Sequence, residues 1–134
     1  MPIRRTPGGV IEVLLVTSRE TQRWVIPKGW PWPDHTDWDS AAGEAREEAG
    51  VTGNIEHVSF GIYDYGKRHP QGITQLSVDV FLLWVKDELD DWPEKAERTR
   101  SWFSLRQAAE SVEELQLRAM LRALVDLPRT RGRP

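Results

Sequence analysis

Cysteine is absent from the 134 residues of this chain, which excludes a disulfide framework and a thiolate site. Long apolar runs are also missing, and no stretch approaches the roughly 20 residues of a membrane-spanning helix. A strong charge of either sign is lacking as well, since the net charge is only −3. General nucleic-acid-binding proteins carry a marked basic excess, so a nucleic-acid partner is not expected. Residues 1–5 are too short for a secretory signal, and these features together predict a cytoplasmic protein with no membrane partner.

The length suits one compact domain that buries a single hydrophobic core. We find no internal repeat, and the chain ends in a short basic segment that contains glycine and proline. We therefore predict one domain over residues 1–128 and a disordered tail over residues 129–134. Only six residues precede the Pro7-Gly8-Gly9 turn, so the first strand should be short. Such a domain is expected to be a monomer or a homodimer.

The most informative segment, residues 43–51, carries three carboxylates spaced i, i+3 and i+4. On a helix, Glu44, Glu47 and Glu48 fall within an arc of roughly 100°. Each like-charge pair weakens a helix by a few tenths of a kcal/mol, so a compensating gain is expected. Mg²⁺ offers one, because it takes carboxylate oxygens and keeps several waters for a phosphate-bearing substrate. A solvated acidic face is the alternative in a chain with 21 acidic residues.

Local signals predict the elements around this segment. Residues 22–26 are typical of a short strand that enters a Pro/Gly turn at residues 27–29. Thr36 is typical of a helix N-cap, and Asp39 of its capping partner. Gly50 is typical of the left-handed residue that ends a helix. The predicted order is therefore strand, loop, a helix over about residues 37–49, and a new strand from Val51.

The remaining elements follow from apolar periodicity. Residues 10–17 are strongly apolar and indicate a strand buried on both faces. Leu117, Leu121 and Leu124 recur at helical spacing and indicate an amphipathic closing helix. The closing helix is predicted over residues 113–125. Further strands are predicted at residues 55–63, 74–85 and 101–103, with a turn at 67–72. A mobile charged loop is predicted at residues 86–100 and a short helix at 104–110.

The spacing around the acidic segment matches a long, position-specific motif, and through it the chain resembles a Nudix hydrolase. The family box is Gly, five residues, Glu, seven residues and Arg-Glu-U-x-Glu-Glu-x-Gly-U, where U is a bulky apolar residue. Two key positions depart, because His35 stands at the first box glutamate and Gly43 at the box arginine. Ala45 is also small for its apolar position. The matching residues are Gly29, Glu44, Glu47, Glu48, Gly50 and Val51.

The resemblance implies a Nudix fold of the α+β class. This fold is an α/β/α sandwich in which a mixed sheet lies between helices and the catalytic box forms a strand–loop–helix. Softer patterns at residues 13–19, 23–27, 91–94 and 98–103 resemble the branch that hydrolyses diphosphoinositol polyphosphates and diadenosine polyphosphates. The implied activity is Mg²⁺-dependent hydrolysis of a pyrophosphate bond in a phosphate-rich small molecule, with Mn²⁺ as a substitute metal.

The resemblance also implies the catalytic and metal-binding residues. Glu47 and Glu48 are the leading metal ligands, and the backbone carbonyl of Gly29 completes the coordination shell as it does in relatives. Glu44 is either a third ligand or the base that deprotonates the attacking water, and Glu97 is a weaker candidate base. Charge neutralisation and positioning do most of the work in breaking a pyrophosphate bond, which is why carboxylates and a metal are expected here.

Basic residues on other segments are the candidates for binding the substrate. Ser18 and Arg19 align with phosphate-contacting positions of the resembling branch, and Lys28 lies in the box loop. Arg68 and His69 belong to a basic turn, in a region where a histidine of that branch binds substrate. Each of these residues has a simpler interpretation as a solvated surface group.

The seven tryptophans include two groups of interest. Three lie on predicted strands and should pack in or near the core, and three flank the box loop, where one is a candidate contact for a substrate ring. The first group is Trp24, Trp84 and Trp102, and the second is Trp30, Trp32 and Trp38.

The two departures from the box leave a second class of function open. His35 and Gly43 favour a weakly active or non-catalytic Nudix domain that binds nucleotides or a protein partner, whereas the retained glutamates favour an enzyme. A nucleoside triphosphate or RNA 5′ pyrophosphohydrolase is a further alternative. The box arginine is thought to orient the glutamates, and glycine in a helix costs roughly 1 kcal/mol relative to alanine. We therefore expect Gly43→Arg to raise both thermal stability and turnover.

Overall fold

The computed structural model describes residues 1–132. The strands are β1 (Pro2–Arg5), β2 (Ile11–Thr17), β3 (Trp24–Val25), β4 (Val51–Ile55), β5 (Gly61–His69), β6 (Gly72–Val80), β7 (Leu83–Glu88) and β8 (Arg100–Ser104). The helices are α1 (Asp37–Ala49), α2 (Leu105–Ser111) and α3 (Leu115–Ala123), and a 3₁₀ turn follows at Leu124–Asp126. Within this described range, no helix is long and apolar enough to cross a membrane.

Strand β2 lies at the centre of a six-stranded mixed sheet. It pairs antiparallel with β8 along one edge, while β1 and β3 both pair antiparallel with its other edge. The sheet continues through the parallel pairing of β1 with β7, and β4 closes it antiparallel to β7. Strands β5 and β6 form a separate antiparallel ribbon. The ribbon therefore stands beside the main sheet and is free to form one wall of a cleft.

The side chains of β2 alternate between two cores, as predicted for a strand buried on both faces. Leu14 and Val16 pack with Ala45 of α1. Val13 packs in the opposite core, where Leu117 of α3 is fully buried. Helices thus cover both faces of the sheet, which confirms the predicted α+β class and α/β/α sandwich.

Helix α1 has the limits that the local signals predict. The hydroxyl of Thr36 accepts the backbone N–H of Asp39 at 3.2 Å, so Thr36 is the N-cap. Gly50 ends the helix in the left-handed conformation with a φ of 64°. The predicted start of β4 at Val51 is also confirmed.

The strands after β4 differ from the prediction in their limits. Strand β5 extends to His69, so only Pro70 and Gln71 separate it from β6. The predicted strand 74–85 is two strands, because the chain leaves the ribbon at residues 81–82 and enters the main sheet as β7. The residues on both sides of this break are apolar and buried, from Val80 to Leu83. Periodicity alone therefore does not show where one strand ends and the next begins.

The basic tail, which composition predicts to be disordered from residue 129, contacts the domain through Arg131. The disorder of the tail stays a prediction. The side chain of Arg131 lies 2.5 Å from Oε1 of Glu56 and 3.1 Å from its Oε2. Arg5 donates to the carbonyl oxygen of Pro128 at 2.6 Å. Residues 133 and 134, the rest of the predicted tail, lie outside the described residues.

Candidate active site

A cleft of about 750 Å³ opens between the loop after β2, the box loop and the β5–β6 ribbon. Glu48 reaches it from α1, while Arg19, Lys28 and Arg68 approach it from the surrounding segments. A buried carboxylate surrounded by cationic side chains suits a ligand rich in phosphate, because charge-assisted contacts bind and orient phosphate oxygens.

Glu48 is the most buried of the three box glutamates, with an exposed fraction of 3%. Its Oε2 accepts the backbone N–H of Lys28 at 3.0 Å, and its Oε1 lies 3.1 Å from Nη2 of Arg98. Burial raises the pKa of Glu48, although Arg98 and Lys28 oppose the rise, and the charge of Glu44 adds to it. A carboxylate whose negative charge is disfavoured in this way would be stabilised by a further cation.

The carboxylate of Glu44 is held between two residues of the box loop. The indole N–H of Trp32 donates to its Oε1 at 2.8 Å. On the other side the carboxylate rests on the Cα of Gly29, where an added Cβ would lie 2.3 Å from Oε1 and 2.6 Å from Oε2. Glycine is therefore required at position 29 for a close approach to Glu44.

The third glutamate, Glu47, is half-buried and does not line the cleft. Among residues 1–132, no three His, Asp or Glu side chains gather closely enough to hold a metal ion. The donor chemistry nevertheless fits a hard divalent cation, because Glu44 and Glu48 offer carboxylate oxygens one helical turn apart beside the Gly29 backbone. These two glutamates, with Glu47 on the same helix face, are the residues that would hold Mg²⁺.

Arg98 is a site residue that sequence reasoning missed, because it lies in a charged segment predicted to be a mobile loop. Its side chain is only 10% exposed. Besides its contact with Glu48, it lies 2.8 Å from Oε1 of Glu94 and donates to the carbonyl oxygen of Thr17 at 3.1 Å. The loop before β8 is thus tied both to the box helix and to the end of β2. The sequence carries no local signal for this pairing, because charges of both signs in a loop do not show which residues pair.

Arg19 extends the same charged network at the edge of the cleft. Its guanidinium lies 3.8 Å from carboxylate oxygens of Glu94 and of Glu97. Glu97, the weaker candidate base, is half exposed and does not line the cleft. The structure therefore places Glu97 in an ion pair with Arg19 at the edge of the cleft.

The C-terminal end of α1 is anchored by residues that follow β7. Arg100 donates to the carbonyl oxygens of Ala49 and Gly50 at 2.9 and 3.1 Å. The indole N–H of Trp92 donates to the carbonyl oxygen of Glu48 at 3.2 Å, and its ring covers the Cα of Gly50. The last carbonyls of a helix lack partners within it, so these contacts stabilise the end that carries Glu48.

The structure brings together most of the predicted substrate-binding residues. His69 is the exception, since it lies at the tip of the ribbon, outside the cleft lining. Its ring nitrogens are 3.2 Å from Oε1 of Gln71 and 2.7 Å from the hydroxyl of Thr74. The predicted residues that do line the cleft are Ser18, Arg19, Lys28 and Arg68.

Tyr65 is a second cleft residue that sequence reasoning missed, because only the pairing of the ribbon brings it to the box loop. The ammonium group of Lys28 lies 3.8 Å from the centre of the Tyr65 ring, and the guanidinium of Arg23 lies 5.3 Å from it. Burial lowers the pKa of Lys28, while Glu48 opposes that change. The cleft wall thus combines an aromatic face with two cations.

The tryptophans behave largely as predicted. Trp30 is 65% exposed and lines the cleft, so it is the candidate contact for a substrate ring. Trp38 is stacked against His57 at 4.7 Å between ring centres, and Trp32 lies against α1. The strand tryptophans are buried or half-buried, namely Trp24, Trp84 and Trp102.

Both departures from the box contact Trp32. The ring of His35 meets the indole edge-on at 5.5 Å, and its Nδ1 lies 2.8 Å from the carbonyl oxygen of Pro33. The indole lies on Gly43, where an added Cβ would be 2.3 Å from the nearest ring carbon. This packing argues against the expectation that Gly43→Arg stabilises the protein, because an arginine would displace a packed, hydrogen-bonded indole and would gain only roughly 1 kcal/mol in helix propensity.

Comparison with known proteins agrees with this fold and box. The family model of the NUDIX domain matches residues 2–124. Nudix hydrolase 16, mitochondrial, of Arabidopsis thaliana is 38% identical over 110 residues, which are 78% of this chain and 59% of that protein. Diphosphoinositol polyphosphate phosphohydrolase 3-alpha of Mus musculus is 33% identical over 100 residues, which are 72% of this chain and 57% of that protein.

A solved structure shows the same fold at lower sequence identity. The crystal structure of a C. elegans Ap4A hydrolase binary complex superposes with a TM-score of 0.66 and 22% identity, over 92% of this chain and 89% of that chain. The match of the family model over residues 2–124 shows that the chain belongs to the Nudix family. The chain spans about half to three-fifths of the length of the curated plant Nudix hydrolases that it matches. Its relatives include the diphosphoinositol polyphosphate phosphohydrolase branch that the softer sequence patterns indicate.

Proposed function

We propose that this protein hydrolyses a pyrophosphate bond in a phosphate-rich small molecule of the dinucleoside polyphosphate or diphosphoinositol phosphate type, with Mg²⁺ as its metal. The observation that carries the proposal is Glu48, a buried box carboxylate at a cleft that Arg19, Lys28 and Arg68 also line. Membership in the Nudix family supports the reaction class.

The residues of the chain divide the work of such a reaction. When bound, Mg²⁺ supplies charge neutralisation of phosphate oxygens and lowers the pKa of a bound water. Lys28, Arg19 and Arg68 would bind and orient the phosphate chain from three sides of the cleft. Trp32 engages the Oε1 of Glu44 and leaves its Oε2 as the candidate acceptor for a proton from an attacking water. Glu44 is not among the residues that line the cleft, so a substrate or metal would have to bring the water within its reach.

A longer phosphate chain should be preferred over a short one. The cationic groups lie on separate segments around the cleft, and each charge-assisted contact adds affinity and orientation only if a phosphate reaches it. We therefore expect diadenosine tetraphosphate and diphosphoinositol phosphates to be cleaved with a higher kcat/KM than nucleotide sugars such as ADP-ribose.

A second candidate function is binding of a nucleotide without turnover. It is favoured by the contact of Glu48 with Arg98 and by the engagement of Glu44 with Trp32, since both carboxylates already have protein partners. In that case the same cleft would bind polyphosphate ligands, and the metal would not accelerate their hydrolysis.

The test is a phosphate-release screen with Mg²⁺ and with Mn²⁺ across diphosphoinositol phosphates, dinucleoside polyphosphates, nucleoside triphosphates, capped or triphosphorylated RNA and ADP-ribose. Glu48→Gln is the negative control, and calorimetry with a non-hydrolysable diadenosine polyphosphate reports binding separately. Metal-dependent turnover that the control lacks supports the enzyme. Tight binding with no turnover in either metal supports the binding domain and refutes the enzyme.

A further inference from the structure

We propose that Trp32 is a positioning residue for Glu44, and that it has taken the place of the box arginine missing at position 43. The inference rests on the proposed function for its catalytic consequence, but its structural part stands on contacts alone. The indole N–H of Trp32 donates to Oε1 of Glu44 at 2.8 Å, and the six-membered ring covers Gly43. One side chain therefore contacts both the glutamate and the position from which an arginine would act.

The indole and a side chain at position 43 exclude each other. A Cβ added to Gly43 would lie 2.3, 2.7 and 2.8 Å from three carbons of the Trp32 ring, which is closer than any such contact tolerates. The backbone of α1 cannot shift at Gly43 without breaking helical hydrogen bonds, so a side chain at position 43 would displace the Trp32 ring. Moving the ring would break its hydrogen bond to Glu44, so Gly43 and Trp32 act as a matched pair.

Trp32 is also fixed at its backbone. Its N–H donates to the hydroxyl of Ser40, a buried residue of α1, at 2.9 Å. Its carbonyl oxygen accepts the N–H of His35 at 3.2 Å, and the His35 ring packs edge-on against the indole. The other departure from the box thus supports Trp32 as well, and the loop holds the indole in one position.

A neutral donor in place of an arginine has a chemical consequence for Glu44. An indole N–H is a single donor, whereas a guanidinium is a permanent positive charge with five donors. Trp32 therefore fixes Oε1 of Glu44 without a formal countercharge, and leaves Oε2 for a metal or a water. The carboxylate keeps its position, between Trp32 and Gly29, through packing and one hydrogen bond.

The first test compares Trp32→Phe with Trp38→Phe. Phenylalanine keeps an aromatic ring and removes the donor, so Trp32→Phe should lower kcat about 10-fold and leave KM within about 3-fold. Its affinity for Mn²⁺, measured by electron paramagnetic resonance without substrate, should fall by a similar factor. Among the described residues Trp38 makes no side-chain hydrogen bond to a box glutamate and packs with His57 and Phe81, so Trp38→Phe should leave both quantities unchanged. Unchanged kcat and Mn²⁺ affinity in Trp32→Phe would overturn the proposal.

The second test uses rescue at position 43. Gly43→Arg alone should lower the melting temperature of the protein without added metal, because the arginine displaces the indole. Trp32→Ala with Gly43→Arg should recover part of that melting temperature and part of the Mn²⁺ affinity lost in Trp32→Ala, since space for the arginine is restored. Gly43→Arg as stable as the wild type, or no recovery in the double variant, contradicts a matched pair.

A spectroscopic readout keeps this inference separate from the proposed function. In a ¹⁵N NMR spectrum the indole N–H signal of Trp32 is identified by its loss in Trp32→Phe. Glu44→Gln should shift that signal and speed its exchange with water, while Glu47→Gln should leave it in place. If Glu44→Gln shifts the signal but the wild-type protein hydrolyses none of the substrates, the proposed function is refuted and the positioning contact stands. A signal insensitive to Glu44 refutes the contact itself.

Discussion

Arg98 reaches from the loop before β8 to the box helix, where its Nη2 lies 3.1 Å from Oε1 of Glu48. Both side chains are nearly buried, with exposed fractions of 10% and 4%. The contact joins the principal carboxylate of the cleft to a segment about fifty residues later in the chain. It makes the stability of the loop and the chemistry of the site depend on each other.

Removing Arg98 should destabilise the protein. Arg98→Met leaves the buried Glu48 without its cation, and loss of one partner of a buried pair costs about 3 kcal/mol. Urea denaturation of the wild type and of Arg98→Met measures the difference. The double variant Arg98→Met with Glu48→Gln should recover most of the loss, because the glutamine is neutral. Single and double variants of equal stability would show that the pair is not coupled.

Neutralising Glu48 should abolish most turnover and leave the fold intact. Glu48→Gln removes a metal-binding carboxylate, so kcat should fall by at least about 100-fold at saturating Mg²⁺. The variant should still fold, as judged by circular dichroism, because Arg98 keeps its ion pair with Glu94 and burial already disfavours the charge of Glu48. Glu110→Gln is the matched control, since Glu110 is exposed on α2 and pairs with Arg106. Full activity of Glu48→Gln would exclude Glu48 from the metal site.

Charge reversal at the cleft walls should act on long phosphate chains most strongly. Arg19→Glu and Arg68→Glu should each raise KM several-fold for diadenosine tetraphosphate and less for ADP-ribose, because the longer chain reaches more of the cations. Steady-state kinetics on both substrates measure the ratio. Arg106→Glu, at a 90% exposed position away from the cleft, should change neither KM. His69→Gln should also have little effect, because His69 lies outside the cleft lining. Equal effects on both substrates would contradict a binding role for these charges.

The docked tail should make stability depend on pH in the acid range. Hydrogen bonds from Arg131 lower the pKa of Glu56, and Trp84 adds a further donor. A lowered folded pKa means that the unfolded chain binds the proton more tightly. The stabilisation is therefore present above the ordinary glutamate pKa of 4.5 and is lost as the pH falls through the folded value.

The variant Arg131→Met tests this contact directly. Its melting temperature should be lower than that of the wild type at pH 7, and the difference should shrink as the pH falls below 4.5 and through the lowered pKa of folded Glu56. The effect should be small, about 1 kcal/mol or less, because the pair is partly exposed. Arg129→Met removes a neighbouring charge from the same tail and serves as the control. A difference that stays the same across this pH range would assign the effect to packing and not to the ion pair.

Features with local signals were predicted well from the sequence. Helix α1 has its predicted limits because Thr36 and Gly50 act on the backbone within one turn of themselves. The short helix predicted at residues 104–110 is likewise found as α2, and Ser104 is its N-cap. Limits that depend on long-range pairing were predicted poorly, as the division of residues 74–85 between β6 and β7 shows. Nothing in a continuous apolar run marks the point where a chain passes from one sheet to another.

The sequence by itself determined the family, the box helix and the face on which Glu44, Glu47 and Glu48 lie, since these depend on spacing along one chain segment. Only the tertiary structure decided which partners these carboxylates have. Arg98 reaches Glu48 because β8 pairs with β2, and Tyr65 reaches Lys28 because the ribbon folds beside the box loop. The role of Gly43 likewise depends on where a loop places the indole of Trp32, and such contacts across space leave no period or motif in the sequence.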